Sequence, residues 1–314
     1  LGVRVANLEK KADNVKITGQ IRYEYADSQG DNGVGNGLNR LRTRLFVNGQ
    51  VNDDWAYTAR LQNDQDFSND KSEEDKTKLN QAYVTGRLAG LKVVAGKAPL
   101  FLADGNLYDD TAEFVSASYG KDVKVTAYGG KPTDKGYGNI YGASLAGNVG
   151  KLALSAGYDA FKDSDAAGDY SFITVKGEDN NVWNIGAKYA FDKNISLSAM
   201  YLNSDVDDDN LYNKDVDTDG FVVGLDYKGA KASQVGSWGL WGKYYDQGVG
   251  TFVAHTMKNG DWGAFANEGF KGYNVGASYT VAKNMVYSLD YFDLEGKDSD
   301  VTDRVIWSRL QIAF

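Results

Sequence analysis

The sequence predicts an all-β protein: a transmembrane antiparallel β-barrel of about 16 strands, preceded by a short N-terminal coiled-coil helix. Three observations predict it. Period-two apolar segments recur from residue 15 to the end. The connections between them alternate short and long. No apolar run approaches the ~18 residues of a membrane-spanning helix. Only helices and closed barrels satisfy every backbone group in lipid, so a spanning chain without such a helix must close its sheet.

Composition fits that frame. The 314 residues include 21 Tyr, 13 Phe and 6 Trp but only 2 Pro. Aromatic residues suit strands and interfacial girdles, whereas proline is excluded from central strands. A mean hydropathy of -0.47 looks soluble, but a barrel that alternates lipid-facing and water-facing residues averages to the same value. Cysteine is absent, which removes disulfides and thiolate metal sites. The net charge of -9 argues against nucleic acid as a partner. The chain begins Leu1-Gly-Val without an initiator Met or signal peptide, as expected of a processed or truncated export product.

Two regions follow. In residues 1–14, Leu1, Val5, Leu8, Ala12 and the adjoining Val15 make a heptad seam, with Arg4, Glu9, Lys10 and Lys11 on other faces. This reads as the end of a periplasmic coiled-coil stalk, with an ordinary short amphipathic helix as the alternative. Residues 15–314 are the barrel. Its expected strands are 15–26, 39–51, 55–64, 78–88, 91–98, 112–119, 123–131, 139–147, 151–160, 181–191, 195–204, 219–228, 238–247, 269–280, 285–294 and 303–314. Short turns such as Asn52-Asp53-Asp54 and Asp192-Lys193-Asn194 alternate with long connections at 27–38, 65–77, 99–111, 161–180, 205–218, 248–268 and 295–302. Short turns belong to the periplasmic side and long loops to the exterior. An even strand number then puts both termini in the periplasm.

Alternation assigns faces. Arg40, Arg42 and Arg44 share one side of the second strand, and Leu41, Thr43, Leu45 and Val47 the other. A lipid-facing Arg at mid-membrane costs ~2–4 kcal/mol, so the arginines face water. The same logic turns Ile17, Ile21, Tyr23, Trp55, Tyr57 and Leu61 outward, and Gln20, Arg22, Glu24, Arg60 and Gln62 inward. Trp55, Phe191, Tyr227, Tyr279 and Phe314 gather on the outward face near short turns, where a girdle belongs. In the last strand Ile306, Ser308, Leu310, Ile312 and the terminal Phe314 alternate with Val305, Trp307, Arg309 and Gln311. A last strand ending in Phe resembles the assembly signal of outer-membrane barrels, carried here by Ile312 and Phe314.

The chemistry-bearing residues point to a pore. In general porins the connection after the fifth strand folds into the lumen, and segment 99–111 occupies that place with Asp104, Tyr108, Asp109 and Asp110. Arg22, Arg40, Arg42, Arg44, Arg60 and Arg87 supply the opposite sign. Carboxylates facing guanidinium groups across a narrow passage create a transverse field that orients dipolar solutes and selects ions. The bland alternative is solvated loop acids above a wide, arginine-lined vestibule. At a net charge of -9 a weak cation preference is expected.

Asp215, Asp217, Asp219 and Gly220 match a calcium-loop pattern with Asp226 at the twelfth place, a weak candidate because no helix flanks it and the usual residue there is Glu. No cofactor is expected. His255 is the only histidine, so His-rich metal sites are excluded, and nothing is placed to support a hydrolytic triad. An enzyme is not expected.

The heptad end running into Val15-Lys-Ile-Thr-Gly-Gln-Ile-Arg-Tyr-Glu-Tyr25, followed by Leu41-Arg-Thr-Arg-Leu45, resembles the OmpM-type porins of diderm Firmicutes. That resemblance implies a trimeric porin barrel joined by a coiled-coil stalk to an S-layer-homology domain that binds peptidoglycan-linked polymer, a domain absent from this chain. The expected function is passive diffusion of small hydrophilic solutes and ions across the bacterial outer membrane, with tethering in the full-length protein. The expected partners are two further copies of the chain, outer-membrane lipid and lipopolysaccharide. The alternatives are a sugar- or nutrient-specific channel, which needs more inward aromatics than Tyr83, Tyr128 and Trp307, and a non-conducting structural barrel.

Overall fold

The computed structural model describes residues 14–30, 37–67, 76–133, 136–164, 179–206, 216–257, 265–266, 268–299 and 301–314. The heptad segment lies, apart from Asn14, outside these residues. Val15, which closes the heptad, is the first residue of β1.

Sixteen strands follow in order: β1 (Val15–Gly30), β2 (Leu38–Gln50), β3 (Trp55–Asp66), β4 (Lys78–Leu88), β5 (Leu91–Leu102), β6 (Tyr108–Tyr119), β7 (Val123–Pro132), β8 (Tyr137–Val149), β9 (Leu152–Ser164), β10 (Asn180–Ala190), β11 (Ile195–Ser204), β12 (Asp219–Lys228), β13 (Trp238–Gln247), β14 (Phe270–Ala282), β15 (Met285–Gly296) and β16 (Thr302–Ala313). Each pairs antiparallel with its sequence neighbours, and β1 pairs with β16, so the sheet is a closed barrel. Short turns are set by local chemistry. The Asn52 side chain accepts the N–H groups of Asp54 and Trp55, both at 3.0 Å. Asp192 does the same for Asn194 and Ile195 at 2.6 and 2.9 Å. These side-chain acceptors reinforce the backbone bonds that close the turns, from the Val51 N–H to the Trp55 carbonyl at 2.8 Å and from the Phe191 N–H to the Ile195 carbonyl at 3.0 Å.

The faces alternate as the pattern requires. Ile17 is 66% exposed and Tyr23 41%, whereas Glu24 between the walls is 0%. At the seam the register runs from Gln20↔Ala313 to Gly30↔Asp303. The terminal residue extends it: the Phe314 carbonyl accepts the Gly19 N–H at 2.7 Å, and the Phe314 N–H donates to the Gly19 carbonyl at 3.0 Å. The Phe314 ring covers Gly19 so closely that a Cβ there would lie 2.2 Å from it, and Trp55 covers Gly86 in the same way. An aromatic ring laid over a cross-strand glycine restores the burial the glycine lacks.

Two departures from the sequence reading matter for the lumen. Segment 99–111 is not a long loop. β5 runs on to Leu102 and β6 starts at Tyr108, with Pro99↔Thr111 through Leu102↔Tyr108 paired, so only 103–107 form the tip. The stretch Leu100 to Leu102 continues the strand because one face of the hairpin is buried, with Leu100 inside and Phe101 exposed, and with Leu107 and Tyr108 fully enclosed.

The second departure is that the inward face is not polar throughout. Ile140, Phe161, Val182, Leu202, Val222, Tyr245, Leu294 and Val305 form one buried cluster with Leu107 and Tyr108 of the tip and with Val249, Phe252, Val253 and Phe265 of the β13–β14 connection. The hydrophobic core lies inside the barrel, and the hairpin tip and the connection fill it.

Gly19→Val forces the Phe314 ring off the seam. Overpacking of this kind costs roughly 1–3 kcal/mol, read as a lower urea midpoint of the detergent-folded barrel. Adding Phe314→Ala to Gly19→Val should cost less than the two single changes summed, because both act on one contact.

Candidate functional site

The arginine ladder forms on adjacent strands because period two brings every second side chain of β2 to the inner face. Register then sets the partners: Arg42 lies opposite Arg22 on β1 and opposite Asp64 on β3, Arg40 opposite Glu24, and Arg44 opposite Gln62. Fully buried Glu24 accepts from Arg40 Nη2 at 2.7 Å, and its other carboxylate oxygen is ion-paired with Arg22 Nη2 at 3.2 Å. Arg42 Nε meets Asp64 at 2.6 Å. Across the seam, Arg309 Nη2 meets Asp290 at 2.5 Å, and its guanidinium carbon stands 3.8 Å from the centre of the Trp307 ring. Lone guanidinium groups this enclosed would be costly, and the carboxylates offset that cost.

Arg22, Arg42, Arg44, Arg60 and Arg309 line a cavity of about 460 Å³ with Asp109 and Asp110 of the hairpin, together with Trp307, His255 and Thr256. Six of the residues expected at a constriction are therefore brought together. Arg40 shares their face but is turned to Glu24. The other three lie elsewhere. Arg87 is exposed beside the short β4–β5 turn. Asp104 lines a separate cavity of about 370 Å³ with Lys121, Lys124 and Lys188, because Ala103 and Asp104 take left-handed backbone with φ of 50° and 54° and swing that side chain away. Tyr108 is fully buried; its hydroxyl donates to the Thr111 carbonyl at 3.0 Å and its ring centre lies 6.1 Å from that of Phe161. It is a packing residue of the plug.

The sequence reading missed Arg309 and His255 as lining groups. The inward position of Arg309 was visible, but its distance in sequence from the other arginines hid that β16 adjoins β1. No pattern in the sequence marks His255, which arrives through the β13–β14 connection.

The acidic side is held by that connection. The Asp109 N–H donates to the Ala254 carbonyl at 2.7 Å, and the Val253 and Ala254 N–H groups donate to the Leu107 carbonyl at 2.9 and 3.0 Å. The Thr256 hydroxyl donates to Asp109 Oδ2 at 2.7 Å. Residues 253–256 thus run beside the hairpin tip, joined to it by one isolated parallel bridge between Tyr108 and Ala254.

Of the calcium candidates, Asp215 lies outside the described residues. Asp217 pairs with Lys297, and Asp219 accepts from Tyr201 at 2.8 Å and Asn203 at 2.5 Å. Asp226 sits in β12, paired with Lys188 at 3.0 Å.

His255 packs edge-on against Tyr245 and Phe270, with ring centres 5.4 and 5.9 Å away. Its Nδ1 accepts the Met257 N–H at 3.1 Å, which needs an unprotonated nitrogen. Its Nε2 lies 3.0 Å from Gln247 Oε1. Burial, with the nearby Lys243 charge adding to it, pushes the imidazole down to about 3. An exposed His titrates near 6.5, so the unfolded segment binds the proton first. The stability His255 lends is complete above about pH 6.5 and is lost as pH falls toward 3. Protease cutting within 248–257 should therefore rise over that interval, and His255→Phe should flatten the rise.

A family model described as "Gram-negative porin" matches residues 82–236, from β4 to the β12–β13 connection. It includes Asp109 and Asp110 but not the arginine-bearing strands β1–β3. The chain is 28% identical over 238 residues to Outer membrane protein S2 of Salmonella typhi, a match covering 71% of this chain and 54% of that protein, so it spans about half the relative's length. Among solved structures it resembles a loop-deletion form of OmpT from Vibrio cholerae (TM-score 0.62, 17% identity, 95% of this chain and 98% of that one). It also resembles Salmonella typhi OmpF in complex with daunomycin (TM-score 0.63, 14% identity, 96% and 97%) and a Rhodopseudomonas blastica porin mutant (TM-score 0.60, 14% identity, 96% and 100%). The segment that resembles the Gram-negative porins lies within a sixteen-stranded closed barrel whose fold is that of these porin structures.

Proposed function

We propose that the chain is a diffusion porin of the bacterial outer membrane, passing small hydrophilic solutes and ions through a water-filled lumen. The carrying observation is the polar cavity inside a closed barrel, with guanidinium groups on the β1–β3 and β16 wall and Asp109 and Asp110 on the hairpin opposite. Opposed charges across a narrow passage act on permeating ions at short range, whereas the acidic long loops are screened beyond ~8 Å at physiological salt. Arg22, Arg42, Arg44, Arg60, Asp109 and Asp110 are the constriction in this reading. The fold and family match favour a channel over an enzyme.

The working form is a homotrimer held in outer-membrane lipid and lipopolysaccharide; one of the similar structures is OmpT of Vibrio cholerae in a trimer form. β1 starts and β16 ends at the rim that carries the short turns, so both termini face the periplasm if short turns do. The N-terminal junction supports the OmpM-type reading, in which the full-length protein also tethers the membrane to peptidoglycan. Ile312 and Phe314 serve as the assembly signal, supported by the pairing of Phe314 with Gly19. Deleting Phe314 should leave the chain uninserted; normal insertion would remove that assignment.

Planar-bilayer recording separates the readings. A diffusion porin gives ohmic conductance that sugars do not block. A nutrient-specific channel is blocked by its solute, and a structural barrel gives no current. Replacing Asp109 and Asp110 together by Asn should move the reversal potential in a salt gradient toward anions. Replacing Arg42 and Arg44 by Ala should raise conductance and move it toward cations. Unchanged potentials in both would place the constriction elsewhere.

A further inference from the structure

The outer wall of the barrel carries a groove that the pore does not use. On β7–β10 the register sets the outward residues in rows across the strands. Val123, Gly147, Leu154 and Ala187 lie side by side in one row, and Val125, Leu145, Ala156 and Ile185 in the next. Gly147 therefore sits between Val123 and Leu154, and Ala156 between Leu145 and Ile185. Two small residues on adjacent strands, walled by four exposed aliphatic ones, leave a groove of about 280 Å³. The depression is built in at Gly147, where a Cβ would lie 3.0 Å from the Asp122 carbonyl oxygen.

The groove coincides with a gap in the aromatic girdle at the short-turn rim. Tyr119 of β6 is exposed on one side of it, and Tyr189 and Phe191 on the other, their ring centres 5.0 Å apart. Between them the short-turn ends of β7, β8 and β9 turn Val123, Val149 and Leu152 outward and no aromatic residue. The turns that close this gap are basic. Lys121 between β6 and β7 and Lys151 between β8 and β9 are exposed. Lys151 Nζ donates to the Phe191 carbonyl at 2.6 Å, which holds the ammonium at the rim and leaves it two further N–H donors. The nearby acids are Asp122, beside Lys121, and Asp192, which accepts the Asn194 and Ile195 N–H groups. Lys193 adds a third cation, so the lysines outnumber them.

An apolar slot that opens at a cationic rim fits a molecule with a hydrocarbon tail and an anionic head. We infer that this groove binds an anionic glycerophospholipid of the periplasmic leaflet, with one acyl chain over Gly147 and Ala156 and the phosphate at Lys121 and Lys151. The chain gains dispersion contacts along the aliphatic walls, and each lysine near the head adds electrostatic attraction. Girdle aromatics occupy the headgroup level elsewhere; their absence on β7–β9 leaves that level to the lipid. The inference rests on the reading of the chain as an outer-membrane barrel with its short turns in the periplasm.

The test is native mass spectrometry of the detergent-folded full chain, titrated with dioleoyl-phosphatidylglycerol or dioleoyl-phosphatidylcholine. The wild type should retain one phosphatidylglycerol per chain, at a concentration roughly tenfold below that needed for phosphatidylcholine. Lys121→Gln with Lys151→Gln should remove that preference, as expected for losing two lysines near an anionic lipid. Ala156→Leu, which fills the floor without touching a charge, should weaken retention of both lipids. Ala277→Leu, on the outer face of β14, is the control and should change neither. Equal retention of the two lipids by the wild type, or groove variants that hold phosphatidylglycerol as the wild type does, would overturn the site. An Ala156→Leu protein that instead changes the number of chains per particle would make the groove an interface between copies, and the lipid site falls. Planar-bilayer insertion of the same samples separates the two readings. A barrel that inserts without selective lipid retention loses this site alone, whereas a chain that does not insert loses the membrane-barrel reading as well.

Discussion

The structure depends on one constraint: inside lipid no backbone N–H or C=O can remain unpaired, so the sheet must close on itself. Closure is the pairing of β1 with β16, carried to the last residue by the reciprocal bonds of Gly19 and Phe314. Once that seam exists, period two separates an oily outer face from an inner face that no longer meets lipid. The inner face is then free to carry charge. Glu24, fully buried, is tolerable only because Arg22 of its own strand and Arg40 of the adjoining β2 converge on it.

The lumen carries two kinds of matter. An apolar cluster with residues from β8 to β16, among them Ile140, Phe161, Leu202, Leu294 and Val305, packs against the hairpin tip and the β13–β14 connection as a small protein core would. On the β1–β3 arc the walls are cationic and the space stays open. The bridged segment at 253–256 joins the two. Its hydrophobic residues anchor it, and its polar ends position Asp109 and His255 at the edge of the open cavity. The width of the passage is therefore set by a packed interior rather than by a loop held by charge alone.

The barrel was legible because its signal is redundant. Every strand repeats the same alternation, and a wrong face would cost kilocalories at each Arg. Sixteen expected strands correspond to sixteen observed ones among the described residues, with ends differing most at the sides of long connections, as where β1 runs to Gly30, β5 to Leu102 and β9 to Ser164. The site was only half legible. Arg22, Arg42 and Arg44 follow from periodicity on neighbouring strands. Asp109 and Asp110 were found by their acidity, yet their support was misread, since a buried hairpin and an exposed loop can share an acidic tip. Tyr108 reads as a pore residue in the sequence because local sequence does not tell an aromatic that faces water from one that plugs. The placement of His255 beside Arg309 was beyond reach, because it needs a connection to fold back through the barrel.

The open cavity draws its walls from both ends of the chain: Arg22 from β1, and Trp307 and Arg309 from β16. Those strands are the pair farthest apart in sequence, and bringing them together carries the largest chain-closure entropy of any pairing in the sheet. Every other hairpin can form locally before it. A barrel caught with its last gap unzipped already holds its plug and most of its wall, but it has only part of the wall of the open cavity. In the proposed channel, discrimination between solutes would thus be acquired in the final step of folding, and the electrical character of the passage would itself report that the polypeptide has finished joining its two ends.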